Sequence, residues 1–158
     1  MPKWPGPVYH AEVDFDAPRD FAFRWCTDYR ADDATRSKEK FERRVLSRSA
    51  RKVVFEDLGW SPTGWVWRHT EVTLRPPGRW HAKTFGSFRT GVIDYSLAPL
   101  PGDRCRFSVT FHRRPTEVHP DRPTKKELDG ELTRMWTNYG RALARDYRSA
   151  RGGGGGRR

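Results

Sequence analysis

At 158 residues the chain is sized for one domain that buries a core without metals or disulfides. Its 31 Lys and Arg against 20 Asp and Glu give a net charge of +11, which admits nucleic acid, anionic membrane or acidic ligands as partners. No run approaches the roughly 20 apolar residues of a membrane-spanning helix, and Cys26 and Cys105 lack the spacing of a disulfide framework or a zinc site.

Residues 1–7 carry three prolines and a glycine and read as an irregular leader without the apolar core of a signal peptide. From Val8 to Asp16, Tyr9, Ala11, Val13 and Phe15 alternate with His10, Glu12, Asp14 and Asp16, the period of a half-buried strand. Pro18 and Asp20 then suit a helix N-terminus, and Phe21, Ala22, Trp25, Cys26 and Tyr29 form a short apolar stripe of helical period. The polar residues 30–40 read as a second short helix or a loop. Phe41–Ser49 and Lys52–Leu58 make a hairpin that turns near Ser49, Ala50 and Arg51. The Ser61-Pro62-Thr63-Gly64 loop leads into a strand over Trp65–Leu74, which Pro76-Pro77-Gly78 ends. Arg79–Phe88, Thr90–Leu97 and Arg104–Arg113 complete the strands, with Pro99–Asp103 as the last turn. In the final strand Cys105, Phe107, Val109 and Phe111 alternate with Arg106, Ser108, Thr110 and His112, again one dry face and one wet face.

A Pro-rich connector over 115–123 leads to a long helix. Thr124 and Glu127 fit the S/T-x-x-E capping box. Leu128, Leu132, Met135, Trp136, Tyr139, Leu143 and Tyr147 recur at spacings of three and four, a stripe roughly 120° wide, while Arg134, Arg141, Arg145 and Arg148 point the other way. Gly140, at the stripe's edge, costs about 0.5–1 kcal/mol relative to Ala, so it either opens room, permits a bend or has no role. Residues 150–158, with five consecutive glycines, read as a disordered Gly/Arg tail, which leaves 8–149 as the single domain. The clean alternations call for an antiparallel sheet with one solvated face and the helices on the other, an α+β domain.

The order of these elements, with particular residues at the joints, resembles the START-like (SRPBCC) superfamily and its helix-grip fold. The match is nearest to members of the polyketide cyclase/dehydrase and lipid-transport types. The residues that carry it are Val13-Asp14-Phe15-Asp16-Ala17-Pro18-Arg19-Asp20-Phe21 followed by Trp25 and Asp28-Tyr29, and Glu71-Val72-Thr73-Leu74-Arg75-Pro76-Pro77-Gly78-Arg79-Trp80. Leu97-Ala98-Pro99-Leu100-Pro101-Gly102-Asp103-Arg104-Cys105-Arg106-Phe107 and the closing helix complete it. The resemblance spans about residues 8–149. It implies a seven-stranded curved antiparallel sheet wrapped around the long C-terminal helix, with two short helices after the first strand and a hydrophobic tunnel in between. Members bind lipids, sterols, quinones, polyketides or other aromatic compounds, and a few catalyse cyclisation or dehydration. The superfamily shares a cavity rather than one catalytic set, so the resemblance points to no single activity.

The dry faces nominate the ligand-binding residues. Met135, Trp136, Tyr139 and Leu143 come from the helix, and Ile93, Tyr95, Phe107, Val109 and Phe111 from the strands. Each could equally be plain core; large flat side chains with one polar tip suit a mostly apolar site. If Arg68 faces water, then Trp65, Trp67, His69, Glu71 and Thr73 face inward, although Val72 and Leu74 would then lie outside unless a bulge switches the register. From Lys83, the same reasoning puts Trp80, Ala82 and Thr84 inside. His69 and Glu71 would share a face fit to shuttle a proton or anchor a hydroxyl, while Arg43 would meet a carboxylate or enolate or snorkel to the rim. These two, with Arg43 and Tyr95, are the catalytic candidates.

No phosphate-binding, nucleophile-elbow or zinc-protease motif occurs, and His10, His69, His81, His112 and His119 lack metal-ligand spacing, so neither cofactor nor metal is expected. The leading expectation is a cytoplasmic protein that binds a hydrophobic or aromatic small molecule (lipid, quinone or polyketide-like) between sheet and C-terminal helix. The alternatives are a cyclase or dehydratase acting on such a compound, and a basic protein- or nucleic-acid-binding module.

Overall fold

The computed structural model describes residues 8–61, 64–87, 90–114 and 124–152. The leader at 1–7, the connector at 115–123, Phe88 and tail residues 153–158 lie outside the described residues. In chain order the elements are β1 (Val8–Phe15), α1 (Arg19–Thr27), α2 (Asp33–Ser37), β2 (Phe41–Arg48), β3 (Lys52–Ser61), β4 (Gly64–Arg75), β5 (Arg79–Gly86), β6 (Thr90–Leu100), β7 (Arg104–Arg114) and α3 (Lys125–Gly152). The seven strands form one antiparallel sheet in the order β1-β7-β6-β5-β4-β3-β2.

The alternating segments fold as their periods dictate. Tyr9, Ala11 and Phe15 of β1 and Cys105, Phe107, Val109 and Phe111 of β7 are buried on the inner face, and Trp80, Ala82 and Thr84 of β5 join them. The α3 N-terminus closes its capping box in both directions: Thr124 N donates to Glu127 Oε2 at 2.9 Å, and Glu127 N donates to Thr124 Oγ1 at 3.2 Å. The helix continues to Gly152, so Ala150, Arg151 and Gly152 are helical rather than part of a loose tail.

Helix α3 lies closest to β1. His10 N donates to Asp129 Oδ1 at 2.8 Å, tying the edge strand to the helix. Gly140 is buried against the Phe15 ring, and a Cβ there would sit 2.8 Å from Phe15 Cδ1. It therefore neither opens room nor permits a bend; it lets the helix backbone descend onto an aromatic ring that itself stacks on Phe107 at 5.2 Å.

Strand β4 reverses the parity expected from Arg68. The β3–β4 and β4–β5 registers run without a shift, and Arg68, Thr70, Val72 and Leu74 face inward. Trp67, His69 and Glu71 accordingly face outward, as does Trp65, contrary to their placement in the interior. The physical cause is twofold. Val72 is completely buried, and Arg68 has a buried carboxylate, Asp57, to meet on the inner face of β3. Cys26 and Cys105 are both buried and unpaired, so no disulfide joins them.

Candidate functional site

Register across three strands builds the polar end of the site. Arg43 on β2 lies opposite Asp57 on β3, which lies opposite Arg68 on β4. Arg43 donates from Nε to Asp57 Oδ1 at 2.8 Å and from Nη2 to Asp57 Oδ2 at 3.0 Å, a two-pronged pair. Arg68 adds Nε and Nη2 donations to Asp57 Oδ2 at 2.9 and 2.7 Å. The third Arg43 nitrogen, Nη1, reaches Asp33 Oδ2 of α2 at 2.5 Å. The side chains of Arg43 and Asp57 are only 4% and 5% exposed, whereas Arg68 keeps 25%, so its guanidinium is the accessible member of the row. Arg43 also packs over the Phe55 ring at 4.2 Å, which replaces some of the hydration its charge has lost.

Burial sets the protonation of this cluster. It works against the Arg43 charge, but hydrogen bonds and attraction from Asp57 and Asp33 more than offset it and hold the guanidinium firmly ionised. For Asp57, burial would raise the carboxyl, yet Arg43 and Arg68 win and keep it below the usual carboxylate range. Asp33 has weaker support; burial pushes it up to about 6 despite Arg43. Asp28, in the connection between α1 and α2, is likewise pushed by burial to about 6. Tyr29, beside it, holds a left-handed backbone at φ 43°, an uncommon conformation for an aromatic residue, and burial raises its hydroxyl well above the ordinary value.

Above this row a partly open space of about 80 Å³ lies between α3, the sheet and the α1–α2 segment. Ile93, Tyr95, Val109 and Phe111 from the sheet and Met135, Trp136 and Tyr139 from α3 line it, together with Arg43. Trp80, Phe107 and Leu143 stand behind the wall as packed core: Trp80 stacks on Tyr95 at 4.9 Å, Phe107 lies 4.1 Å from Trp136, and Leu143 is wholly buried. His69 and Glu71 are remote from the cavity lining. On the outer face His69 Nδ1 meets Glu56 at 3.4 Å and its Nε2 meets Glu71 at 3.8 Å, a surface cluster away from any interior chemistry. Trp67 packs edge-on against Phe85 on that same outer face.

Sequence reasoning missed Trp25, Cys26, Tyr29, Asp33, Glu39, Arg68 and Leu132, all on the cavity wall, and Asp57 beneath it. Trp25 and Cys26 belong to the apolar stripe expected of the first helix, and Tyr29, read with them, lies just past that helix's end. Both short helices are latched to α3 by Asp146, which accepts from Trp25 Nε1 of α1 at 2.8 Å and from Arg36 Nη1 of α2 at 2.7 Å. Burial, the main cause, pushes the Cys26 thiol well above its usual value and Cys105 up to about 11, so both stay protonated and poorly nucleophilic. Among the described residues the Trp80 indole N–H, deep in the core, meets no acceptor in good hydrogen-bond geometry.

Among the described residues no group of three His, Cys, Asp or Glu side chains is placed to hold a metal, and no helix is long and apolar enough to cross a membrane. No protein-family model and no curated protein matches the sequence. Solved structures match the fold throughout. The Zhui aromatase/cyclase from Streptomyces sp. R1128 superposes with a TM-score of 0.67 at 14% identity, covering 96% of this chain and 100% of that one. A START superfamily protein from Mycobacterium smegmatis gives 0.66 at 14% identity, with 92% and 99% covered. A protein from Thermus thermophilus, TTHA0849, gives 0.68 at 15% identity, with 87% and 97% covered. The chain has the START-like helix-grip fold that its joint motifs resemble.

Proposed function

We propose that the protein binds a small apolar or aromatic molecule in the cavity under α3, with the ligand's oxygen atoms turned toward Arg68. The observation that carries this reading is an aromatic-walled space with one accessible guanidinium at its floor. Carboxylates there outnumber guanidiniums by three to two. Arg43 and Arg68 face Asp57, Asp33 and Glu39, so a neutral hydroxyl or carbonyl suits the site better than a second carboxylate. A hydrogen bond to a charged donor contributes about 1.5–3 kcal/mol, enough to orient a ring system.

Size limits what fits. An engineered cavity of roughly 150 Å³ admits benzene, so about 80 Å³ accepts a single ring only as Met135 or Trp136 yields. The remainder of a longer ligand lies in the adjoining outer groove of about 410 Å³, which shares Glu39 and Arg68 with the cavity. Titration with 2-naphthol, followed by tryptophan fluorescence, tests the reading. Val109→Phe fills the space from the sheet side and is expected to weaken binding at least tenfold while the thermal midpoint stays near that of the parent. Absence of parental binding, or undiminished binding by the variant, overturns it.

Catalysis of the cyclase or dehydratase kind is the second reading, favoured by one observation. Asp33, on the cavity wall beside Arg43, has a carboxyl poised near 6, where it can accept and return a proton. His69 and Glu71 take no part in it. The basic-module alternative draws less support, because Arg30, Arg36, Arg43, Arg68, Arg104 and Arg106 are each paired with an aspartate.

A further inference from the structure

The cavity leaves unexplained the outer face of the sheet near the β3–β4 connection. Leu58, Trp60, Trp65, Trp67 and Phe85 stand there with 44%, 58%, 66%, 48% and 50% of their surfaces exposed. Trp60 pairs across the strands with Trp65, and Leu58 with Trp67. The rings meet edge to face, Trp60 on Trp65 at 5.0 Å and Trp67 on Phe85 at 6.0 Å. The five together present ~600 Å² of apolar surface, at the top of the range for a monomer and the size that marks contact with another phase or molecule. The rest of the outer face is ordinary: Glu56, His69 and Glu71 form one polar group, and His81 pairs with Asp94 at 2.7 Å. Val8 on β1 and Val45 and Leu46 on β2 are the other large apolar side chains exposed among the described residues, so the exposed aromatic cluster is confined to one end of the sheet.

Cations flank that end. Lys38 and Lys40 are exposed and line the same groove as Trp60 and Trp67. We propose that this end of the sheet docks on an anionic lipid bilayer, with the tryptophan row seated at the headgroup–acyl boundary and Lys38 and Lys40 against lipid phosphates. Indole rings, apolar with one N–H donor, partition to that boundary, and each nearby lysine adds attraction to an anionic leaflet. The net charge of +11 draws the whole protein in the same direction. A second copy of the chain fits less well, since a stable protein interface takes about 800 Å² from each partner. Rings set at right angles make a ridged surface, which a fluid boundary accommodates and a flat sugar or base does not. The docking does not depend on whether the cavity is occupied.

Co-sedimentation of the full chain with vesicles tests this, comparing equal parts phosphatidylcholine and phosphatidylglycerol with phosphatidylcholine alone. The mixed vesicles are expected to retain the protein and shift its tryptophan emission to the blue. Trp65→Ser with Phe85→Ser, both exposed and outside the groove and cavity linings, should weaken retention at least tenfold without changing the thermal midpoint or the 2-naphthol titration. Lys38→Ser with Lys40→Ser should reduce retention by about tenfold and shrink the difference between the two vesicle types. Failure to sediment with either vesicle, or retention unaffected by the aromatic variant, overturns the proposal. So does a dimer in sedimentation velocity that the aromatic variant dissociates, because a second copy then covers the patch. The naphthol titration reads the cavity separately, so either proposal can fail alone.

Discussion

The two ends of the sheet treat charge and aromatic side chains differently. Around β1 and β7, under α3, the inward side chains are apolar except Arg113 near the end of β7, and ion pairs such as Asp14–Arg106 face out. Across β2, β3 and β4 one stretch breaks that pattern: beside the buried Val53, Phe55 and Val72, the charged Arg43, Asp57 and Arg68 face in, while Leu58, Trp60, Trp65 and Trp67 face out. Where helix and strand touch, as at Gly140 and Phe15, the interior is solid; the charged row lies where α3 no longer presses on the sheet and a hollow remains. The break in that pattern thus coincides with the place where the core stops being only a core.

The sharpest way to break that contrast is to remove one charge from each end. Asp57→Ala strands two guanidiniums, Arg43 in the interior and Arg68 at its edge, and is expected to cost about 3–5 kcal/mol in urea unfolding. Asp14→Ala, whose partners Arg104 and Arg106 stand in water, should leave the urea midpoint almost unmoved. A smaller effect probes the solid end. Gly140→Ala drives a methyl into the Phe15 ring, which Phe107 prevents from retreating, for about 1–3 kcal/mol. Gly130→Ala on the same helix meets no atom within 4 Å and should stabilise by about 0.5–1 kcal/mol. Equal losses at both glycines would refute the close-approach account.

The smallest expected effect depends on pH. Asp33 titrates at about 6 in the folded protein against 3.8 for the free side chain, so the folded state holds its proton more tightly. Its contribution therefore favours folding at low pH and is lost as pH rises from 4 through 6. Asn at this position has no such dependence. The stability of the parent relative to Asp33→Asn should fall by about 1–2 kcal/mol between pH 4 and pH 7. Asp57 runs the other way, stabilising at neutral pH and losing that contribution on acidification, so a flat or rising difference for Asp33 would reassign the titration to its neighbours.

Most of the architecture was legible because alternation and the 3–4 spacing of α3 each had one unambiguous dry side. Strand β4 had none. Both its faces mix apolar and polar side chains, and the usual signals are exchanged, with tryptophans in water and an arginine inside. The partner that settles the matter, Asp57, sits on the neighbouring strand, where only the hairpin register places it opposite Arg68. Yet a trace of it was readable: a hairpin centred near Ala50 sets Arg43 opposite Asp57, and a carboxylate beside a nominated inward arginine argues for a buried pair. Nothing comparable in the sequence announces Asp33, because a five-residue helix carries too little period to be oriented.

Cys26, on the wall of the hollow, gives the molecule a built-in chemical clock. Its sulfur stays protonated and almost wholly buried, so an electrophile reaches it only as the wall around it moves. The pace of its alkylation becomes a stopwatch on how often the interior breathes, and an occupant would slow the hand.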